Sequence, residues 1–167
     1  MKLEVLISCM RQDDLSIIRR SNVLTDVLVI NQGDGEDTIE DTVGNHCFRM
    51  ISTVERGLSK SRNMALRNAT GDICLICDDD EILFDDYEER ILKVYKEHQD
   101  ADIIAFQIDD AGKGYPRHER KLNYLSSLKI ASWQISFRRE SVLNAKIRFD
   151  ETLGSGAVSY THLRAHE

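Results

Sequence analysis

Four consecutive acidic residues, Asp78 to Glu81, follow an apolar segment with the length and composition of a buried strand, residues 72–77. Their like charges repel one another, and burial would raise their pKa values unless a cation compensates. In an extended segment alternate side chains share a face, so Asp78 and Asp80 are expected to point the same way. Mg²⁺ and Mn²⁺ prefer oxygen ligands, and such sites often combine one or two carboxylates with substrate phosphates. The run therefore indicates a divalent-metal site, and the alternative is a solvated acidic turn.

Three cationic residues, Arg56, Lys60 and Arg62, surround the predicted start of a helix just before that strand. Apolar spacing predicts this helix over residues 57–69, and Gly71 stands where a glycine at the C-terminus of a helix is typical. Exposed N–H groups and the helix dipole favour an anion at a helix start. Arg56 and Arg62 can both reach a diphosphate from there, whereas the alternative is a basic, solvated helix face. An anion site beside a metal site suits a nucleotide diphosphate.

The segment RGLSKSRNMALRNATGDICLICDDDE, residues 56–81, resembles the donor-site core of GT-A-fold glycosyltransferases of the family 2 type. In that family such a run binds a nucleotide sugar through a divalent metal. The similarity extends over about residues 1–156, and this core is its most specific part. It implies an inverting transfer from a nucleotide-diphosphate sugar, with a UDP-sugar favoured, to a glycan or lipid-linked acceptor, with Mn²⁺ or Mg²⁺ as cofactor.

The resemblance also implies roles for individual residues. Asp80 would be the metal ligand on the diphosphate, and Asp78 would contact the ribose or the waters of the metal. The end of the first strand, residues 8–11, and the end of the second, Asn31 and Gln32, would frame the base and the ribose. Many family members carry an aspartate where this chain has Asn31-Gln32, so the nucleotide base stays open. The expected donor-binding residues are Ser8, Cys9, Arg11, Asn31, Gln32, Arg56, Lys60, Arg62, Asn63, Asp78 and Asp79.

Positioning these residues requires a sheet whose strands end at one edge. Buried strands are predicted over residues 3–9, 26–31, 47–52, 72–77, 101–108 and 131–138, and the polar segment 32–45 is predicted as a loop. Helical spacing between the strands indicates a three-layer α/β domain with a mostly parallel sheet. Ligands on such a sheet bind at the C-terminal ends of the strands, so the loops after Cys9, Asn31 and Cys77 are the expected site.

Composition narrows the class of protein. The 167 residues carry a net charge of −7, which argues against a nucleic-acid-binding domain because such domains present a dense basic face. No apolar run approaches the roughly 20 residues that span a bilayer, although peripheral membrane association stays open. Four cysteines without a secretory signal indicate reduced thiols and a cytoplasmic location.

Two further signals are ambiguous. Trp133, in the predicted strand 131–138, is either a core residue or an acceptor-side platform on which a sugar stacks. Cys74-x-x-Cys77 has the spacing of a metal or redox motif, but an odd offset in a strand sends the two thiols to opposite faces. A zinc site at these cysteines is therefore disfavoured.

The end of the sequence departs from the family pattern. Family members of this type continue after a segment like residues 148–156 into an acidic motif that supplies the catalytic base. Here AVSYTHLRAHE follows, which has no acidic pair and resembles a non-native read-through peptide. We therefore expect a donor-binding domain over residues 1–156 that is incomplete on its acceptor side, a non-native or disordered tail over residues 157–167, and no residue for the base.

Two other functions compete with this interpretation. A sugar-phosphate nucleotidyltransferase shares the sheet but opens with a glycine-rich loop after the first strand, where this chain has the glycine-free SCMRQDD. A flavodoxin-like phosphoacceptor or signalling domain also clusters aspartates at strand ends. It would be phosphorylated on an isolated aspartate, whereas here an acidic run lies beside an arginine-rich helix start. Metal-dependent nucleotide binding separates the signalling function from glycosyl transfer.

Overall fold

The computed structural model describes residues 1–107 and 118–153, together with the backbone of residues 163 and 164. The strands are β1 (Leu3–Met10), β2 (Asp26–Gln32), β3 (Asp37–Val43), β4 (His46–Thr53), β5 (Ile73–Asp78), β6 (Ile103–Ala105), β7 (Ile135–Arg138), β8 (Arg148–Phe149) and β9 (Leu163–Arg164). The helices are α1 (Ser16–Arg20), α2 (Leu58–Asn68), α3 (Tyr87–Glu97), α4 (Tyr124–Ser127) and α5 (Arg139–Asn144). The expected domain boundary at residue 156 lies outside the described residues.

Seven strands form one mixed sheet in the order β3-β4-β2-β1-β5-β7-β6. The central strands β4, β2, β1 and β5 are parallel, and β3, β7 and β6 join antiparallel at the two sides. The chain moves from β1 to β2 in one direction along the sheet and from β4 to β5 in the other. Because crossover connections are right-handed, α1 and α2 must cover opposite faces. The predicted three-layer, mostly parallel α/β fold is confirmed.

Apolar side chains on the two faces of the sheet form two separate cores. Along β1, Val5 and Ile7 pack in the core that contains α1 and α3, whereas Leu6 packs in the core that contains α2 and α5. Strands buried on both faces read as continuous apolar runs, which is why the sequence revealed them. Cys74 and Cys77 lie in opposite cores, as their spacing predicts, and both are free thiols.

The prediction of a loop over residues 32–45 is wrong, because β3 lies within it. This strand pairs with β4 through a tight turn at Gly44 and Asn45, where Gly44 has a φ of 63°. Left-handed backbone at a two-residue hairpin turn favours glycine. Nearly every side chain of β3 is exposed and several are acidic, a composition that protects an edge strand from further pairing. The same composition hides the strand from a search for apolar periodicity.

The prediction that Gly71 ends α2 is also wrong, since the helix is followed by extended backbone at Ala69 (φ −62°, ψ 146°). Gly71 instead lets the chain pass close to β1, where an added Cβ would lie 2.6 Å from the Cβ of Glu4. The buried Glu4 carboxylate accepts a hydrogen bond from the Gly71 N–H at 2.7 Å and pairs with Arg49 at 2.7 Å. A glycine is needed here for space rather than for a positive φ.

Candidate functional site

The parallel strands end at one edge of the sheet, and their register brings the predicted loops together there. Cys9 on β1 lies opposite Asn31 on β2, and Asn31 lies opposite Ser52 on β4. On the other side of β1, Ser8 lies opposite Asp78 at the end of β5. The ends of four strands therefore form one continuous polar edge.

The acidic run does not continue β5. The strand ends at Asp78 and the chain turns at once, so the expectation that Asp78 and Asp80 share a face of an extended segment is wrong. The side chains of Asp79 and Asp80 are exposed, whereas Glu81 folds back and its carboxylate accepts a hydrogen bond from the Asp78 N–H at 3.0 Å. The pKa of Glu81 is raised to about 7, chiefly by burial; the hydrogen bond from the Asp78 N–H opposes this rise and the nearby Asp78 carboxylate adds to it.

Arg62 on α2 forms an ion pair with Asp78. The two charged groups lie 2.7 Å apart, with Arg62 3% and Asp78 29% exposed. The guanidinium also lies 5.7 Å from the centre of the Phe149 ring, a cation–π contact. This pair joins α2 to the end of β5, and it gives Asp78 a protein partner of opposite charge.

The exposed turn at Asp79 and Asp80 leaves two carboxylates facing solvent beside this pair. Within residues 1–107 and 118–153, no group of three or more His, Cys, Asp or Glu side chains is arranged to hold a metal ion. One or two carboxylates fit a Mg²⁺ or Mn²⁺ ion that takes its remaining ligands from phosphates and water. The donor set therefore fits a cation that arrives with a phosphorylated ligand.

The basic residues expected at the start of α2 have separate roles in the structure. Arg56 forms an ion pair with Asp34 at 2.8 Å and donates to the Val54 carbonyl at 3.1 Å. Arg62 forms its ion pair with Asp78. Lys60 is half-buried and has no ion pair in the part of the chain that the structure describes. The sequence indicated three similar cations, but it could not reveal that two of them bind aspartates.

Two polar residues of α2 are anchored by neighbouring strands. The Ser61 hydroxyl donates to the Ser8 hydroxyl at 2.8 Å, which joins the helix start to the end of β1. The Asn63 amide accepts from the Phe149 N–H at 2.8 Å and donates to the Phe149 carbonyl at 2.9 Å. It donates to Glu151 as well, at 2.8 Å. Asn63, which is buried, therefore holds β8 against α2.

The two amides at the end of β2 are buried, and both donate hydrogen bonds to neighbouring segments. Asn31 accepts a hydrogen bond from the Gln12 N–H at 2.9 Å and donates to the Gln12 carbonyl at 2.7 Å and to Ser52 at 3.2 Å. Gln32 donates to the carbonyls of Glu55 at 2.9 Å and Gly57 at 3.1 Å. Each amide thus holds a loop that borders the edge, a role that no local sequence signal reveals.

Two of the expected donor-binding residues at the end of β1, Cys9 and Arg11, differ in their exposure to solvent. The Cys9 thiol is buried beside the Ile30 carbonyl at 3.7 Å, and burial raises its pKa to about 12. Arg11 is exposed and has a φ of 53°, in the left-handed region that few side chains other than glycine adopt. Of this pair, Arg11 faces solvent and Cys9 belongs to the core.

Trp133 lies in a 3₁₀ turn over Ser132–Gln134 rather than in a strand, since β7 begins only at Ile135. Its side chain is half-buried.

Close in sequence to Trp133, four large apolar residues are exposed on and around α4. They are Leu122, Tyr124, Leu125 and Leu128. Among the described residues, no helix has the length and apolar character needed to cross a membrane.

Comparison with known proteins yields one family and several solved structures. The family model for Glycosyl transferase family 2 matches residues 8–158. A sequence comparison with curated proteins found no match. The crystal structure of S. aureus TarS 1-349 has a TM-score of 0.68 at 17% identity, covering 93% of this chain and 52% of that chain.

Two complexes are similar as well. The first, S. aureus TarS 1-349 with UDP-GlcNAc, has a TM-score of 0.62 at 17% identity and covers 90% of this chain and 49% of that chain. The second, the mannosyltransferase PcManGT from Pyrobaculum calidifontis with GDP-Man and Mn²⁺, has a TM-score of 0.54 at 14% identity and covers 88% and 47%. This chain therefore spans about half the length of these proteins. Likeness at such low identity establishes the fold.

Proposed function

The chain belongs to glycosyl transferase family 2 and has the GT-A fold, and on that premise we propose that it binds a nucleotide-diphosphate sugar as the donor for glycosyl transfer. The observation that carries the proposal is the polar edge at the ends of β1, β2, β4 and β5. An exposed acidic turn at Asp79 and Asp80 stands there beside the start of α2. Such an edge offers separate places for a base, a diphosphate and a metal ion.

The donor lies along this edge in the proposal. Ser8, Asn31 and Gln32 frame the base and ribose, either by contact or by holding the loops that make contact. Lys60 and the N–H groups at the start of α2 face the diphosphate, because a helix start favours negative charge. The likeness to proteins solved with UDP-GlcNAc and with GDP-Man supports a nucleotide sugar, and a UDP-sugar remains the favoured donor.

Asp80 is the proposed metal ligand, with Asp79 beside it in the same exposed turn. Asp78 pairs with Arg62 at 2.7 Å, and we assign it to the ribose or to a water of the ion. When bound, Mn²⁺ or Mg²⁺ neutralises the charge that develops on the departing nucleoside diphosphate. The proposed reaction inverts the configuration at the anomeric carbon, as the family resemblance implies.

The proposed acceptor is a glycan or a lipid-linked acceptor. Exposed apolar residues on and around α4, among them Tyr124 at 78% and Leu125 at 72% exposure, lie close in sequence to the exposed basic residues Arg120, Lys121 and Lys129. Aromatic and apolar side chains flanked by basic ones favour an anionic membrane surface. This segment supports peripheral membrane association and a lipid-linked acceptor.

Calorimetric titration of the full chain tests the donor site. UDP and GDP are each titrated with Mn²⁺ and again with EDTA. We expect metal-dependent binding of one nucleotide that is lost in Asp80→Ala and kept in Glu89→Ala, which removes an exposed acid on α3. Absence of heat with either nucleotide from folded protein would refute the proposal. Phosphorylation of an aspartate by a small phosphodonor would then support the signalling alternative.

A vesicle experiment tests the membrane surface separately. We expect the chain to sediment with phosphatidylglycerol vesicles and not with phosphatidylcholine vesicles. Leu125→Glu is expected to abolish this sedimentation, whereas Leu143→Glu, which alters an exposed leucine on α5, is expected to leave it unchanged. Equal sedimentation of both variants would exclude the α4 segment as the contact surface.

A further inference from the structure

Arg11 is held in an unfavourable backbone conformation at the polar edge. Its φ of 53° lies in the left-handed region, where the Cβ of any residue other than glycine crowds the following carbonyl. Residues persist in such conformations only when surrounding contacts enforce them, and they cluster at functional sites. The contacts that enforce the left-handed conformation of Arg11 therefore indicate which function this residue serves.

Those contacts come from the end of β2. The Arg11 N–H donates to the Gln32 carbonyl at 3.1 Å. The next residue, Gln12, is gripped on both sides of its backbone by the Asn31 amide, which accepts from its N–H at 2.9 Å and donates to its carbonyl at 2.7 Å. Because Asn31 is only 4% exposed and also donates to Ser52, its amide plane is fixed. The loop at residues 11 and 12 is thus clamped by β2.

The cations at the polar edge differ in whether they already form an ion pair, and this difference indicates a role for Arg11. Of the cations that the sequence assigned to a diphosphate, Arg62 is paired with Asp78 and Arg56 with Asp34. Arg11 is exposed and has no ion pair within residues 1–107 and 118–153. It is therefore a cation at this edge that can meet an anionic ligand without first breaking an ion pair.

We propose that Asn31 is a positioning residue that acts through Arg11: it clamps Gln12 and so presents the Arg11 guanidinium to the phosphates of the bound nucleotide. This inference rests on the proposed donor site. It assigns Asn31 to the loop rather than to the base, which differs from the role that the family resemblance implies. Arg11→Lys keeps the charge and is expected to keep most of the affinity.

A double-mutant cycle on the full chain tests the coupling. UDP affinity in the presence of Mn²⁺ is measured for wild type, Asn31→Ala, Arg11→Ala and the double variant, with uridine as the probe that lacks phosphates. Loss of a charge-assisted contact is expected to weaken UDP binding by about tenfold in either single variant. In the Arg11→Ala background, Asn31→Ala is expected to cost less than about twofold. Arg19→Ala, which removes an exposed cation from α1, is the control.

Arg11→Gly separates this role from a purely structural one. Glycine relieves the left-handed strain, so the variant is expected to unfold at a higher temperature than wild type while binding UDP about tenfold more weakly. Should Asn31→Ala fail to fold, Asn31→Asp replaces it, since aspartate accepts from the Gln12 N–H but cannot donate to its carbonyl.

The outcomes distinguish the two proposals. Nucleotide binding by wild type with an undiminished cost of Asn31→Ala in the Arg11→Ala background overturns this inference alone. So does an equal loss of UDP and uridine affinity in Arg11→Ala, which would place Arg11 at the nucleoside. Absence of nucleotide binding by folded wild type overturns the donor site and this inference together.

Discussion

Arg62 and Asp78 are sixteen residues apart in the chain, yet their charged groups lie 2.7 Å apart. Arg62 projects from α2 and Asp78 ends β5, so the pair spans the connection between two layers of the domain. Arg62 is almost fully buried, and the Asp78 carboxylate helps to compensate its charge. The ion pair therefore joins α2 to the end of β5 and fixes the position of a carboxylate in the candidate site.

Removing one charge of this pair should be costly. Asp78→Asn removes the carboxylate that faces the buried Arg62 guanidinium at 2.7 Å, and we expect a loss of about 2–3 kcal/mol in the free energy of unfolding. Urea denaturation followed by circular dichroism measures this. In the double variant Arg62→Met/Asp78→Asn, most of the loss is expected to be recovered, because the buried guanidinium is removed together with the carboxylate. A double variant that is less stable than Asp78→Asn would contradict this account.

Gly71→Ala tests the close approach between the connection after α2 and β1. The added methyl would lie 2.6 Å from the Glu4 Cβ, so β1 or the loop must shift. We expect a loss of about 1–3 kcal/mol in the free energy of unfolding, the usual cost of overpacking. Gly35→Ala is the matched control, since an added Cβ there meets nothing within 4 Å. Equal stabilities of the two variants would argue against the close approach.

Asn63→Ala is expected to release β8 from α2, since it removes the hydrogen bonds to both backbone groups of Phe149. The lost bonds leave buried backbone groups unsatisfied, and we expect the free energy of unfolding to fall by about 2 kcal/mol. Faster exchange of the Phe149 amide hydrogen is the direct measurement. Asn68→Ala removes an exposed amide from the same helix and should change neither quantity.

Glu81 should make the stability of the metal-free protein depend on pH. Its pKa is raised from the ordinary value of 4.5 to about 7 by burial, so the folded state holds a proton that the unfolded state has released. Its stabilising contribution is fully present below about pH 4.5 and is lost as the pH rises through about 7. Glu81→Gln is expected to remove this dependence, because its amide oxygen still accepts from the Asp78 N–H.

Urea titrations between pH 4 and 8, in the presence of EDTA, compare Glu81→Gln with wild type. The difference in unfolding free energy between the two proteins is expected to change across this range, with wild type losing stability relative to the variant as the pH rises. A constant difference would show that Glu81 titrates alike in the folded and unfolded chains.

The parallel centre of the sheet could be predicted from sequence because both faces of its strands are buried. Residues 27–30 are apolar and mostly β-branched, and every residue of the segment 26–31 is buried in the structure. The edge strand β3 could not be found this way, because solvent on its side chains removes the periodicity. Burial, rather than hydrogen bonding, is what leaves a trace in composition.

In the candidate site, too, some features could be predicted from the sequence and others could not. The location of Asp78 and Asn31 at strand ends followed from topology, since parallel strands end at a common edge. The partners of their side chains did not, because the contacts of Asp78 with Arg62 and of Asn31 with Gln12 depend on how loops and helices pack. The residue types indicate which side chains can bind an ion. Only the fold shows which of these side chains already have a partner within the protein.

The two cysteines of β5 offer a way to observe each side of the domain separately. Cys74 is buried beneath α2 and α5, and Cys77 is buried beneath α1 and α3. Burial raises the pKa of both thiols, so neither reacts with an alkylating reagent while its layer stays closed. Alkylation rates measured by peptide mass spectrometry would therefore report, residue by residue, how often each helical layer lifts from the sheet. A chain that opens first at Cys77 would loosen on the side of α1 and α3 while the layer of α2, which carries the basic helix start, stays in place.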